Sequence, residues 1–233
     1  MNKEEFIKAV KQLKVDLTEE KLEKLNKFYN LLIEWNKKIN LTRIEKEDEV
    51  YLKHFYDSLT ITKIINIENM YICDIGSGAG FPGIVLKIVF PKIKIDLVEA
   101  TEKRCNFLKL VIEKLNLKDI SVINERAEIY SKEVREKYDL VTSRAVAPLK
   151  HLLEYSIPLV KVNGYYVAMK GIVDKELDNI DNYYRKLNIT LVKEIKFLLP
   201  QELSNRTLLL YKKNNITNLK YPRRYNEIKK KDI

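Results

Sequence analysis

Cysteine is scarce in this chain: Cys73 and Cys105 are the only two among 233 residues. They show neither metal-ligand spacing nor a C-x-x-C pattern, so each reads as a small buried apolar residue. The two histidines, His54 and His151, are too few for a histidine-rich metal site, and no structural metal is expected. No segment approaches the roughly 20 consecutive apolar residues that a membrane helix needs. The opening MNKEEFIKAVKQL lacks the apolar stretch of a secretion signal. A cytoplasmic protein with no membrane partner is therefore expected. There is no internal repeat and no low-complexity linker.

What is abundant is positive charge. Lysine and arginine number 43 against 33 acids, a formal net charge of +10. A basic excess suits polyanionic partners, because each neutralised phosphate releases counterions. Many lysines alternate with Glu, however, as on any solvated helix face, and charge alone does not decide for nucleic-acid binding. Near the end come Lys212, Lys213, Lys220, Arg223, Arg224, Lys229, Lys230 and Lys231, with Tyr221 and Tyr225 among them. That stretch is either a solubilising tail or a nucleic-acid contact with stacking capacity.

The hydrophobic pattern divides the chain. Residues 1–66 read as helical. Asp16 and Thr18 are candidate caps, followed by Glu19 and Glu20. Leu22, Leu25, Tyr29, Leu32 and Ile39 recur at helical spacing, widened by Phe28, Leu31 and Trp35. A further helix is expected over about 48–65. From residue 71 short apolar runs alternate with helical segments, which predicts an α/β fold: a doubly wound, Rossmann-like, mainly parallel sheet. Strands at 189–198 and 206–212, with Asn205 and Arg206 as their turn, predict a terminal antiparallel pair. The expected division is a helical extension over 1–66, a catalytic domain over 67–212 and a basic tail over 213–233.

The central motif is Asp74-Ile75-Gly76-Ser77-Gly78-Ala79-Gly80-Phe81-Pro82-Gly83. It follows a strand and opens a helix. Alternate glycines permit a tight turn and close backbone approach to a ligand. Pro82 suits the first turn of the helix, whose start offers free N–H donors to an anionic group. The pattern also satisfies G-x-G-x-x-G, so a dinucleotide must be weighed. Asp74 at the strand end opposes that reading, since a carboxylate repels a pyrophosphate and favours a sulfonium cofactor with its ammonium group. Alternatively, Asp74 fixes the turn by accepting backbone N–H groups. Glu99 ends the next strand, placed to accept ribose hydroxyls in either class. Arg126-Ala127-Glu128 follows the third strand, where adenine would lie. Arg144 ends the fourth, placed to meet cofactor or substrate.

These segments resemble, in order, the bacterial 16S ribosomal RNA methyltransferase G family, also called glucose-inhibited division protein B. The resemblance rests on LLIEWNKKINLT (31–42), KHFYDSL (53–59), DIGSGAGFPG (74–83), RAE (126–128), SRAVAPL (143–149) and KYPRR (220–224). It implies methyl transfer from S-adenosyl-L-methionine to N7 of one guanosine in small-subunit ribosomal RNA, either free or within a ribosomal particle. A monomer is expected. Carried onto this chain, the cofactor contacts are Gly76, Phe81, Ala127, Glu128 and Arg144, to which the fold argument adds Gly78 and Glu99. Family members often carry Asp then Ser where this chain has Glu99-Ala100, so the ribose contact is expected to shift by one methylene. Arg144 is the candidate for positioning substrate. No catalytic acid or base is assigned, and the Asp-Pro-Pro-Tyr and Asn-Pro-Pro-Tyr motifs of amino-group methyltransferases are missing. His54, Asp57 and Ser58 are expected chiefly to pack a helix, and Lys170 to touch RNA. The alternatives are a methyltransferase for small molecules or proteins, a nicotinamide-dependent oxidoreductase, and a non-enzymatic RNA-binding protein.

Overall fold

A computed structural model describes all 233 residues. Helix α1 (Lys3–Gln12) starts at Asn2, whose side chain accepts the Glu5 N–H while the Glu5 carboxylate accepts the Asn2 N–H, a reciprocal capping box. Helix α2 (Glu19–Ile39) is capped by Thr18, with acids in its first turn and Lys37 and Lys38 in its last. Both placements suit the helix dipole. Its buried face is Leu25, Phe28, Leu32 and Asn36. Leu25, Phe28 and Leu32 belong to the expected stripe, and Leu22, Tyr29 and Ile39 flank them half-buried against the same core. Aromatic packing centres this face: the Phe28 ring lies 5.4 Å from Phe81, 5.7 Å from Phe55 and 6.5 Å from Phe107. Burying one such ring stabilises the fold by about 1.5–3 kcal/mol.

The helix expected over 48–65 changes winding along its length. It runs as α3 (Glu47–Val50), a π-helical stretch (Tyr51–Tyr56), α4 (Asp57–Leu59) and a 3-10 turn (Thr60–Lys63). π-helical winding is rare and frequently marks functional sites.

Seven strands follow: β1 (Tyr71–Ile75), β2 (Lys94–Glu99), β3 (Ile120–Asn124), β4 (Tyr138–Arg144), β5 (Val160–Lys170), β6 (Ile189–Leu198) and β7 (Asn205–Lys213). Their order in the sheet is β3-β2-β1-β4-β5-β7-β6. The first five are parallel, and β7 runs antiparallel between β5 and β6. Asn205 and Arg206 are the first residues of β7, not a turn. The reversal lies in Leu199–Ser204, closed by the Leu199 N–H to the Ser204 carbonyl. Helices α5 (Gly83–Val89), α6 (Glu102–Lys114), α7 (Ala127–Glu133), α8 (Leu149–Ser156) and α9 (Asp181–Leu187) connect the strands, and α10 (Tyr225–Lys230) lies near the end.

Alternation along β1 separates two cores. Ile72 joins a cluster with residues of α1–α6, while Cys73 and Ile75 join one with α7–α9. The early helices thus share a core with the sheet. Both cysteines are buried, as expected. Two lysines, one from the basic stretch near the end and one expected to touch RNA, are tied to the protein itself. Lys213 is fully buried and donates to the carbonyls of Ile157 and Val160 and to Glu136. Lys170 donates to the Ala147 carbonyl and pairs with Glu176, with its side chain only 10% exposed. The ammonium thus holds the β4 loop with two of its three donors, and the side chain lines a chamber beside Arg144.

Candidate active site

The sheet order reverses between β1 and β4, and in open α/β sheets ligands bind at the carboxyl edge of that switch point. There the chain leaves β1 through Gly76, Gly78 and Gly80, all with positive φ. Asp74 is fully buried beneath this turn, and its Oδ2 accepts the Gly83 N–H at 3.0 Å. Gly83 is needed for that approach, since a Cβ there would lie 2.7 Å from Asp74 Oδ2 and 2.3 Å from Leu97. Two expectations change. The start of α5 offers no free donor at Gly83, because Asp74 has taken it. Asp74 is also not among the residues that line the cavity above, and the hydrogen bond it makes is the turn-fixing one. The same geometry still disfavours a pyrophosphate, whose usual place at the helix start already holds a carboxylate. Burial pushes the Asp74 carboxyl up to about 6, and its Oδ1 has no partner.

At the end of β2 the Glu99 carboxylate accepts the Gly78 N–H at 2.9 Å and the Thr101 N–H at 2.8 Å, one on each oxygen. Each oxygen keeps a second lone pair. After β3, Ala127 and Glu128 open α7, and the Glu128 carboxylate accepts from Arg126 Nε.

The β4 edge is built from farther away. Arg144 Nη1 donates to the Lys53 carbonyl at 2.8 Å and to Asp57 at 3.0 Å, and Nη2 donates to His54 Nδ1 at 3.1 Å. Asp57 also accepts from Arg206 Nε at 3.0 Å. Because a guanidinium only donates, His54 Nδ1 is the acceptor and the ring proton resides on Nε2, aimed at Thr42 Oγ1 2.9 Å away. Burial, and then the charge of Arg144, push the His54 imidazole down to about 3. It is neutral at physiological pH. Its ring stacks on Phe81 at 4.3 Å. Ala145, the next residue, has φ +55, a conformation costly for a residue with a Cβ.

Gly76, Gly78, Phe81, Glu99, Ala127, Glu128 and Arg144, the residues expected from sequence, all line one cavity of about 650 Å³. His54, Thr42, Val146 and Tyr225 line it as well. Sequence reasoning placed His54 and Asp57 chiefly in helix packing. No spacing signal links them to Arg144, and only the π-helical segment's proximity in space reveals the connection. Ser58 does pack as expected, being fully buried with its hydroxyl on the His54 carbonyl.

The residues present fit S-adenosyl-L-methionine. Glu99 retains acceptor capacity for a ribose diol. Arg144 has used three of its five donors, which leaves two for an anionic group. Above Gly78 the space is open, since an added Cβ would meet only the Gly76 carbonyl at 3.8 Å. Fold and cavity together define an S-adenosylmethionine-dependent methyltransferase. Solved structures share the fold at low identity: a methyltransferase from Pyrococcus furiosus (TM-score 0.53, 20% identity, 66% of this chain and 79% of that one), and M. jannaschii TYW2 in complex with AdoMet (TM-score 0.50, 15% identity, 64% and 69%).

Comparison by sequence narrows the class. The family model for rRNA small subunit methyltransferase G matches residues 21–209. Ribosomal RNA small subunit methyltransferase G of Bacillus cytotoxicus is 43% identical over 228 residues, covering 96% of this chain and 95% of that protein. The same-named protein of Mycoplasma capricolum subsp. capricolum is 48% identical over 208 residues, 89% of each. The chain belongs to the rRNA small subunit methyltransferase G family.

Proposed function

We propose that this protein transfers a methyl group to N7 of a guanosine in small-subunit ribosomal RNA, acting as a cytoplasmic monomer on RNA within or outside a ribosomal particle. Family membership supports the substrate class. The observation that carries the N7 assignment is the proton chemistry of the β4 edge. His54 is held neutral with both ring nitrogens engaged, and Asp57 is spent on two guanidinium groups. Guanine N7 has a lone pair and no proton at neutral pH, so transfer there needs no general base. S-adenosyl-L-methionine supplies the electrophilic methyl group.

The chain's own task is alignment, which is worth several kcal/mol of barrier when reacting atoms are held in line. We assign the cofactor contacts to Gly76, Gly78, Phe81, Glu99, Ala127, Glu128 and Arg144. Phe81 acts as a packed floor beneath Arg144, whose guanidinium carbon lies 5.3 Å from the ring centroid. A second chamber of about 480 Å³ shares His54, Arg144 and Ala145 with the first. It suits a base turned out of its stack, with Arg144 positioning base against methyl. Residues 1–66 serve as a helical extension and 67–212 as the catalytic domain.

The test is methyl transfer from labelled S-adenosyl-L-methionine to RNA and ribosomal particles from a strain lacking the enzyme, followed by nucleoside mapping. Label in 7-methylguanosine of small-subunit RNA is expected. Label at another atom or in another RNA would overturn the target, and none in RNA or particles would move the substrate to a small molecule or protein.

A further inference from the structure

The family match ends at residue 209, but the cavity does not. Tyr225 and Lys229 of α10 line it beside Arg126, Ala127 and Glu128. The Arg126 guanidinium carbon lies 4.4 Å from the Tyr225 ring centroid, a cation–π distance. The segment is firmly anchored. Arg223 places its backbone N–H, Nε and Nη2 on the Glu154 carboxylate at 2.8, 2.9 and 2.9 Å, and Glu154 is fully buried. Tyr221 and Ile228 are buried too. Arg135 donates to the carbonyls of Thr217 and Tyr221. A solubilising tail has no use for such contacts, because each ordered residue loses conformational entropy.

The sheet order says which end of the ligand this wall meets. Arg144 ends β4, the glycine turn follows β1, Glu99 ends β2 and Ala127 follows β3, and these strands lie side by side in the order β4, β1, β2, β3. A ribose at Glu99 therefore puts its base towards β3, where Tyr225 stands. We propose that residues 221–230 are a built part of the cofactor site, with Tyr225 as the aromatic wall against which the adenine ring packs. The proposal rests on the cofactor reading above. Adenine offers a π face that an aromatic ring stacks on, and loss of such a contact weakens binding by roughly 10-fold or more.

The experiment is calorimetric titration of the full chain with S-adenosylhomocysteine and with adenosine alone. Tyr225→Ala is expected to raise the Kd for both by a similar factor of about 10, while Tyr225→Phe stays near wild type. Tyr225→Leu keeps bulk without a ring face. It should weaken both ligands as well, and it replaces the alanine variant should that one unfold. Glu154→Gln, which loosens the Arg223 anchor, is expected to weaken adenosine binding with Tyr225 intact. A Tyr225→Ala or Tyr225→Leu protein that binds S-adenosylhomocysteine within twofold of wild type overturns the wall. If RNA affinity falls instead, the segment is an RNA contact. Failure of the wild type to bind S-adenosylhomocysteine would overturn the cofactor reading along with it.

Discussion

At the β1–β2 edge of the cavity, each group is set by a near neighbour. Asp74 reaches 9 residues ahead to Gly83, and Glu99 reaches 21 back to Gly78 and 2 ahead to Thr101. At the β4 edge, Arg144 is held by Asp57, His54 and Lys53, which are 87, 90 and 91 residues away, and Asp57 is held by Arg206 across 149. The first edge is local backbone geometry. The second exists only when the early helices, β4 and β7 have all assembled. The early helices are therefore not an accessory to the sheet, since they supply the groups that hold Arg144.

The comparison breaks most sharply at Asp57. Its side chain is 7% exposed, between Arg144 at 14% and Arg206 at 23%. Asp57→Ala leaves two largely buried guanidinium groups facing each other without a counter-charge. Removing one partner of a buried pair costs about 3–5 kcal/mol, and that loss is expected in urea unfolding. Methyl transfer should fall with it, because Arg144 loses a constraint. A variant within about 1 kcal/mol of wild type would mean that the β4 edge does not depend on this junction.

The same contrast explains what could be read from the sequence. The glycine turn, Glu99 and the α/β rhythm follow from local spacing and periodicity, and they sit where expected. The apolar face of α2 was legible too, since Leu25, Phe28 and Leu32 are buried as expected, but that Phe28 would meet Phe55, Phe81 and Phe107 on other elements was not. His54 and Asp57 carry no local mark, and their partners come from β4 and β7. Lys213 and Lys170 look like surface charge until their carbonyl and carboxylate partners are in view. Asp74 shows the limit of charge reasoning: the sign suggested a ligand contact, while the hydrogen bond goes to the chain itself.

The two edges also respond to acid in opposite directions. Asp74 has its folded pKa raised from 3.8 to about 6. The stability it contributes is present below 3.8 and lost as pH rises towards 6, about 3 kcal/mol in all. His54 has its folded pKa lowered from 6.5 to about 3. The unfolded chain takes up a proton that the native ring refuses, so stability is lost as pH falls through that window. Each slope is about 1.4 kcal/mol per pH unit, and between pH 4 and 6 they oppose each other. Asp74→Asn is expected to gain on wild type as pH rises from 4 to 6, and His54→Gln to gain as pH falls over the same range. Parallel pH trends for the two variants, measured by urea unfolding, would contradict the assignment.

Gly76 tests where the edges touch. Its φ is +68, and a Cβ would lie 2.6 Å from Val146 in the β4 loop. Gly76→Ala should cost about 1–2 kcal/mol of stability from the left-handed backbone alone. It should also weaken S-adenosylhomocysteine binding, as the β4 loop is pushed from the glycine turn. Adding Val146→Ala should restore part of the affinity. No recovery would mean that the strain lies in the turn itself, with no coupling between the edges.

The smallest effect is expected at Ser58, one residue from Asp57 in the same helical stretch. Its hydroxyl donates to the His54 carbonyl at 2.6 Å, and the residue is fully buried. Ser58→Ala removes one neutral hydrogen bond, worth about 0.5–1.5 kcal/mol. It leaves Asp57, Arg144 and the His54 ring nitrogens with all their partners. Stability should drop by that amount while S-adenosylhomocysteine affinity and methylation rate stay at wild-type values. A large loss of affinity at unchanged stability would instead show that the carbonyl of His54, and with it the backbone winding of this stretch, sets the angle of the ring against Phe81. The long-range edge would then depend on one local bond after all.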